Sequence, residues 1–219
     1  FWLSYIDALV KEDQLDQVTE VLELAKNQGL AEEKLNALKA QLDSRSKAKN
    51  ITSESPSDLQ INALLEHYQN RRYGDAERLA VSITQEFPKH QFAWKVLGAV
   101  LGQVGRMSEA AEANQTAVGL FPRDAEAHNN LGITLQQLGR LGEAQASYKQ
   151  AIALKPDFVE AHDNLGNTLR ELGRSAEAVG SYKQVIALKP DFVEAHNNLG
   201  LTLQELGRSA EAEASYKQA

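Results

Sequence analysis

The residues best able to do chemistry in this 219-residue chain recur at a spacing of 34. Asn130, Asn164 and Asn198 form one series, Glu126, Glu160 and Glu194 a second, and His128, His162 and His196 a third. A carboxamide carries a donor and an acceptor together, so a row of asparagines can satisfy a peptide N–H and C=O without reading side chains. Each glutamate precedes its asparagine by four residues, which on a helix puts the two on one face. Carboxylates there favour neutral or basic ligands over acidic ones, and in a first turn they also complement the positive end of the helix dipole. Three histidines suggest zinc, but neighbouring helices pack about 10 Å apart, whereas a shared ion needs every nitrogen within about 2.1 Å. Trp94 stands 34 residues before His128, so the histidines are expected to be large packing residues, and no metal site is expected.

Between the repeats, differences are as informative as identities. Residues 159–185 and 193–219 differ at six of 27 positions, and the changes include three places on the same helical face as the asparagines. Those places hold Asn129, Asp163 and Asn197; Ile133, Asn167 and Leu201; and Gln136, Arg170 and Gln204. Such places are where selectivity for a ligand could reside, or where drift is harmless. No other chemistry is evident. There is no cysteine, no Gly-x-Ser-x-Gly elbow and no phosphate-binding glycine loop after a strand, so neither an enzyme nor a cofactor is expected. Asn50-Ile51-Thr52 fits a glycosylation acceptor, a pattern that matters only in a secretory pathway.

The elements that must position these residues follow from the same period. Within 125–158, His128, Leu131, Leu135 and Leu138 keep helical spacing, as do Ala144, Tyr148, Ala151 and Ile152, so each unit reads as a helical hairpin. Gly139, Gly173 and Gly207 fall where the first helix should stop, and Pro122, Pro156 and Pro190 where the second should. Gly132, Gly166 and Gly200 lie mid-helix, where glycine costs about 1 kcal/mol against alanine. A close approach of the partner helix would explain them. Asn114 takes a place that is Tyr148 and Tyr182 in later units. In 57–90, Leu64 replaces the mid-helix glycine and Arg71 the turn glycine, so that hairpin is expected to pack or turn differently.

Asn130-Leu131-Gly132, Leu135, Gly139, Ala144, Tyr148, Ala151 and Pro156 together resemble the tetratricopeptide repeat signature. The resemblance implies an all-α, right-handed solenoid of antiparallel helical hairpins, with units 57–90, 91–124, 125–158, 159–192 and a truncated 193–219. Stacking places the first helix of each unit on the concave wall. The asparagine series is similar to the ladder of O-linked N-acetylglucosamine transferases, where it holds a peptide main chain. That similarity makes Asn130, Asn164 and Asn198 candidate peptide-binding residues, with Asn129, Asp163, Asn197, Asn167, Arg170, Glu126, Glu160 and Glu194 beside them. Chaperone-binding relatives carry lysine where the glutamates stand, so a clamp for acidic C-termini is disfavoured.

Laying Trp2 on Trp94 suggests a divergent hairpin and capping helix over 1–42, joined by a flexible polar linker over 43–57 to an array over 58–219. The expected partner is a protein or peptide. Lys plus Arg is 23 against 30 Asp plus Glu, a net charge of −7, which argues against nucleic acid. No apolar run approaches the roughly 20 residues of a membrane span. Phe1-Trp2-Leu3 does not begin like a secretory leader; the compartment stays open, with the cytoplasm favoured. Incomplete end hairpins suggest a segment of a longer protein. Rival readings are the recognition arm of a larger transferase and a scaffold that self-associates end to end.

Overall fold

A computed structural model describes residues 55–219. The hairpin and capping helix expected over 1–42, the linker up to residue 54 and the Asn50 pattern lie outside the described residues. The chain divides at Ser57, and the unit Asp58–Ala219 is all helix and turn. Its helices are α1 Asp58–Gln69, α2 Tyr73–Glu86, α3 Gln91–Gln103, α4 Met107–Leu120, α5 Ala125–Gln137, α6 Leu141–Leu154, α7 Val159–Glu171, α8 Ser175–Leu188, α9 Val193–Glu205 and α10 Ser209–Tyr216.

Consecutive helices pair into five hairpins, and each second helix packs on the next first helix. First helices also touch one another along the array, α1 with α3, α3 with α5, α5 with α7 and α7 with α9, whereas successive second helices have no comparable contact. The first helices therefore line the inner side of an α-solenoid and the second helices splay on the outer side.

Turn geometry explains the glycines. Gly105, Gly139, Gly173 and Gly207 have φ of 81°, 72°, 72° and 73°, the left-handed region that side chains avoid. The 57–90 hairpin turns the same way, because Arg71 itself takes φ 57°. Its packing differs as expected, through an exchange of sizes. A Cβ on Gly132 or Gly166 would lie 2.5 Å or 2.6 Å from the ring of Tyr148 or Tyr182, so the large partner sits on the second helix. In the 57–90 hairpin the large residue is Leu64 on the first helix and the small one Ala80 on the second, both fully buried.

Trp94 and the three histidines do one job. The Trp94 indole donates to the Pro88 carbonyl at 2.8 Å, and His128, His162 and His196 reach the Pro122, Pro156 and Pro190 carbonyls through Nε2 at 3.0, 2.9 and 2.8 Å. A carbonyl only accepts, so each Nε2 carries the proton. Each ring ties the inter-hairpin turn to the helix that follows it.

Most buried apolar residues fall into two clusters, one from Leu64 to Ala113 and one from Leu131 to Ala212, with the fully buried Ala117 and Ala127 between them and Val118 packed on the second. Asn114 lies at their border, 2% exposed, with Nδ2 donating to Thr134 Oγ1 at 2.9 Å and its Oδ1 unpartnered. Lys95 crosses the same border to Asp124 at 3.0 Å and Glu126 at 2.6 Å.

Candidate functional site

The three asparagines lie on the inner helices α5, α7 and α9, all half-buried. Behind each, a buried threonine holds the helix: Thr134, Thr168 and Thr202 donate to the Asn130, Asn164 and Asn198 carbonyls at 3.0, 2.9 and 2.6 Å. The carboxamides are laced sideways from hairpin to hairpin. Asn164 Nδ2 donates to Asn129 Oδ1 at 3.2 Å, and Asn198 Nδ2 donates to Asn167 Oδ1 at 3.4 Å. Each bond uses one of two amide N–H groups, so a second donor and an acceptor remain on Asn164, whereas the Asn198 amide also donates to the Asp163 carboxylate and keeps its acceptor.

The neighbouring candidates separate into different environments. Asn129 is 6% exposed, its oxygen committed to Asn164, while Asn197 is exposed. Asp163, Asn167 and Arg170 are half-buried on one face of α7. Asn167 is fixed on several sides: its Nδ2 donates to Asp163 Oδ2 at 3.1 Å, and its Oδ1 accepts from the Tyr182 hydroxyl at 2.8 Å. Burial pushes the Asp163 carboxyl up, and the Glu194 charge adds to this, against the pull of the Asn198 and Asn167 amides. Burial likewise pushes the Tyr182 hydroxyl up to about 12.

The glutamates are not equivalent. Glu126 is neutralised by Lys95, whereas Glu160 and Glu194 are exposed with no ion pair among the described residues. Burial acts to raise Asp124, but the Lys95 ammonium and the Ala127 and Glu126 amides outweigh it and hold the carboxyl below its ordinary value. Lys95 is correspondingly raised: Glu126 and Asp124 together outweigh the burial that would lower it. Asp124 also caps α5, accepting from the Glu126 and Ala127 amides at 2.8 and 3.1 Å.

Two features escaped the sequence reading. Asn62 continues the asparagine row two periods before Asn130, exposed on α1, and Val96 interrupts the row between them; the spacing alone would have found it. Arg106, Arg140, Arg174 and Arg208 each pair with a glutamate three residues on, Glu109, Glu143, Glu177 and Glu211. Gly-Arg-x-x-Glu after the turns of the last four hairpins was the signal.

Open clefts lie on the other side of the array. One of about 570 Å³ is floored by Leu131, Leu135 and Leu138 and edged by Ala111, Gln115 and Arg140. Another of about 330 Å³ lies between α6 and α8 over Leu165 and Leu169. Neither is lined by a ladder asparagine. Among the described residues no group of three or more His, Asp or Glu could hold a metal ion, and no helix is long and apolar enough to cross a membrane.

Comparison with known families agrees with this architecture. The family model described as TPR repeat matches residues 135–173 and 166–207, and the one described as Tetratricopeptide repeat matches 62–125. Between them they take in more than half of the chain. The chain belongs to the tetratricopeptide repeat family. As such it is a protein-interaction or scaffold module. Among solved structures, a crystal structure of MamA is 24% identical with a TM-score of 0.67, over 70% of this chain and 90% of that one. A second, of MamA protein, is 22% identical with a TM-score of 0.69, over 78% and 90%. A MamA RS-1 ArsTM double mutant is 16% identical with a TM-score of 0.69, over 73% and 90%. These tetratricopeptide neighbours share the fold. No curated protein sequence matches the chain.

Proposed function

We propose that the inner face of the array binds an extended peptide segment of a protein partner, with Asn130, Asn164 and Asn198 hydrogen-bonding its main chain. The observation that carries this reading is the lateral lacing. Asn164 is held by the preceding hairpin through one N–H, with the other N–H and the carbonyl available, and Asn198 is held through Asn167 and Asp163 with its carbonyl available. Pre-oriented amides lose little rotamer freedom when a ligand arrives. Asn129 acts as the positioner of Asn164, and Asn62 extends the row toward α1. Glu160 and Glu194, exposed and unpaired, favour neutral or basic segments over acidic ones.

The test is a displayed library of random twelve-residue peptides selected on the full chain, with each winner titrated by fluorescence polarisation. Converting Asn130, Asn164 and Asn198 together to alanine removes three amides worth about 1 kcal/mol each, so affinity should fall about 100-fold. Winners that bind the triple variant unchanged would move the contact to the leucine-floored outer clefts and end this reading.

A further inference from the structure

Of the five hairpins, the one built on α7 alters its inner face as a set. Asn167 replaces the apolar Ile133 and Leu201 of its neighbours, Asp163 replaces Asn129 and Asn197, and Arg170 replaces Gln136 and Gln204. The hydroxyl of the second helix follows the change. Tyr148 donates to Gln136 at 3.0 Å and Tyr216 to Gln204 at 3.4 Å, but Tyr182 turns instead to Asn167. Arg170 is thereby left without the partner its neighbours have.

The two charges of this set are unneutralised. Asp163 and Arg170 are seven residues apart on one face, about 10 Å along the axis at 1.5 Å per residue, too far to pair. The acid beside Asp163 is Glu194, a like charge. Arg170 has no ion pair among the described residues; Glu171 accepts from Gln136 at 2.6 Å and Glu205 from Ser175 at 3.0 Å. Asp163 Oδ1 and Arg170 Nη1 are both sealed from solvent with no hydrogen-bond partner. Half-buried charges without counter-charge cost stability, and asparagine and glutamine at these places avoid that cost in the hairpins on either side.

Resting on the peptide-groove reading, we infer that α7 is the selective station of the groove and reads an adjacent pair of oppositely charged peptide residues, a basic side chain at Asp163 and an acidic one at Arg170. Geometry sets the adjacency. A peptide crossing α7 at Asn164 and Asn167 in extended form points successive side chains to opposite sides. One side is the Asp163 and Glu194 edge, the other the Arg170 edge. Two side chains reaching outward from neighbouring residues span the roughly 10 Å between the charges. The flanking places, Ile133 and Leu201, are exposed and accept apolar residues before and after the pair.

Selecting the same displayed library on the full chain, on Asp163→Asn and on Arg170→Gln tests this. Both substitutions install residues that neighbouring hairpins already use, and circular dichroism checks that the helices persist. Winners on the unaltered chain should carry a basic–acidic neighbour pair. Arg170→Gln should lose the acidic preference and keep the basic one, Asp163→Asn the reverse, and each should weaken a wild-type winner about tenfold, the size of one charge-assisted hydrogen bond. Winners that depend on the asparagine row but show no charge pair, or keep it in both variants, overturn this inference and leave the groove reading standing. Winners indifferent to the row, or no enrichment at all, overturn both.

Discussion

Gly166→Ala measures how closely the helices of one hairpin approach. The new Cβ would stand 2.6 Å from Tyr182 Cε1, 2.9 Å from Cζ and 3.0 Å from Cδ1, against ordinary carbon contacts of about 3.5–4.0 Å. The ring must therefore withdraw by about 1 Å. Tyr182 is fully buried and its hydroxyl is held by Asn167, so withdrawal strains the core, at about 1–3 kcal/mol for overpacking. Helix propensity returns about 1 kcal/mol. Gly180→Ala is the matched control, since Gly180 is mid-helix in α8 with nothing within 4 Å of its Cβ position, and it should gain that 1 kcal/mol outright. Urea and thermal unfolding should thus separate the two alanine variants by about 1–3 kcal/mol, several degrees in Tm at about 2–4 °C per kcal/mol. If the two variants are equally stable, the close-contact argument fails. The Leu64 and Ala80 arrangement supplies a rescue: Gly166→Leu with Tyr182→Ala should be more stable than Tyr182→Ala alone, because the leucine refills the cavity.

Arg71→Gly should stabilise the first hairpin by about 0.5–1 kcal/mol in the same unfolding assays, since a left-handed φ strains any residue with a Cβ. Asp124 and Asp163 should respond to pH with opposite signs. Asp124 is held below its ordinary 3.8, so its ionised form stabilises the fold above that value. The advantage of the unaltered chain over Asp124→Asn should be full at pH 7 and disappear as pH falls below 3.8 through the lower folded value. Asp163 is raised, so ionising it weakens the fold, and Asp163→Asn should melt higher at pH 7 with the difference closing as the pH drops to 3.8. A pH series of melting curves for the three proteins checks both, and parallel curves would refute the assigned environments.

Backbone demands were the legible part of this sequence. A left-handed turn needs glycine, and a ring needs a bare Cα opposite it, so Gly139, Gly173 and Gly207 announced the turns and Gly132, Gly166 and Gly200 the contacts. Where the demand is met by other means the reading was incomplete. Arg71 takes the glycine conformation without being glycine, and Leu64 with Ala80 fills the same space with the sizes exchanged, which only pairwise reading across two helices could detect. The candidate site divides along the same line. Periodicity named the asparagine row and the variable places beside it, because position on a helix is a matter of counting. It could not tell that Asn129 is sealed beneath Asn164, that Lys95 takes Glu126, or that Tyr182 abandons the Arg170 position for Asn167. Those depend on which rotamers meet between units 34 residues apart.

The polar border at Asn114 bears on how the array comes apart. In a linear stack, each hairpin is stabilised by its own packing and by its two neighbours, so a weak junction divides the chain into blocks that open separately. Between α4 and α5 one apolar cluster gives way to the next, with Val118 of α4 and the small Ala117 and Ala127 as the apolar link, and the contact there includes a buried carbonyl oxygen with no donor. The Lys95 bridge across the same junction depends on charge and therefore loosens with salt and acid, while the leucine and tyrosine layers on either side do not. Unfolding is thus expected to break first at this seam, with hairpins 58–120 and 125–219 melting as two cooperative blocks whose separation widens as ionic strength rises.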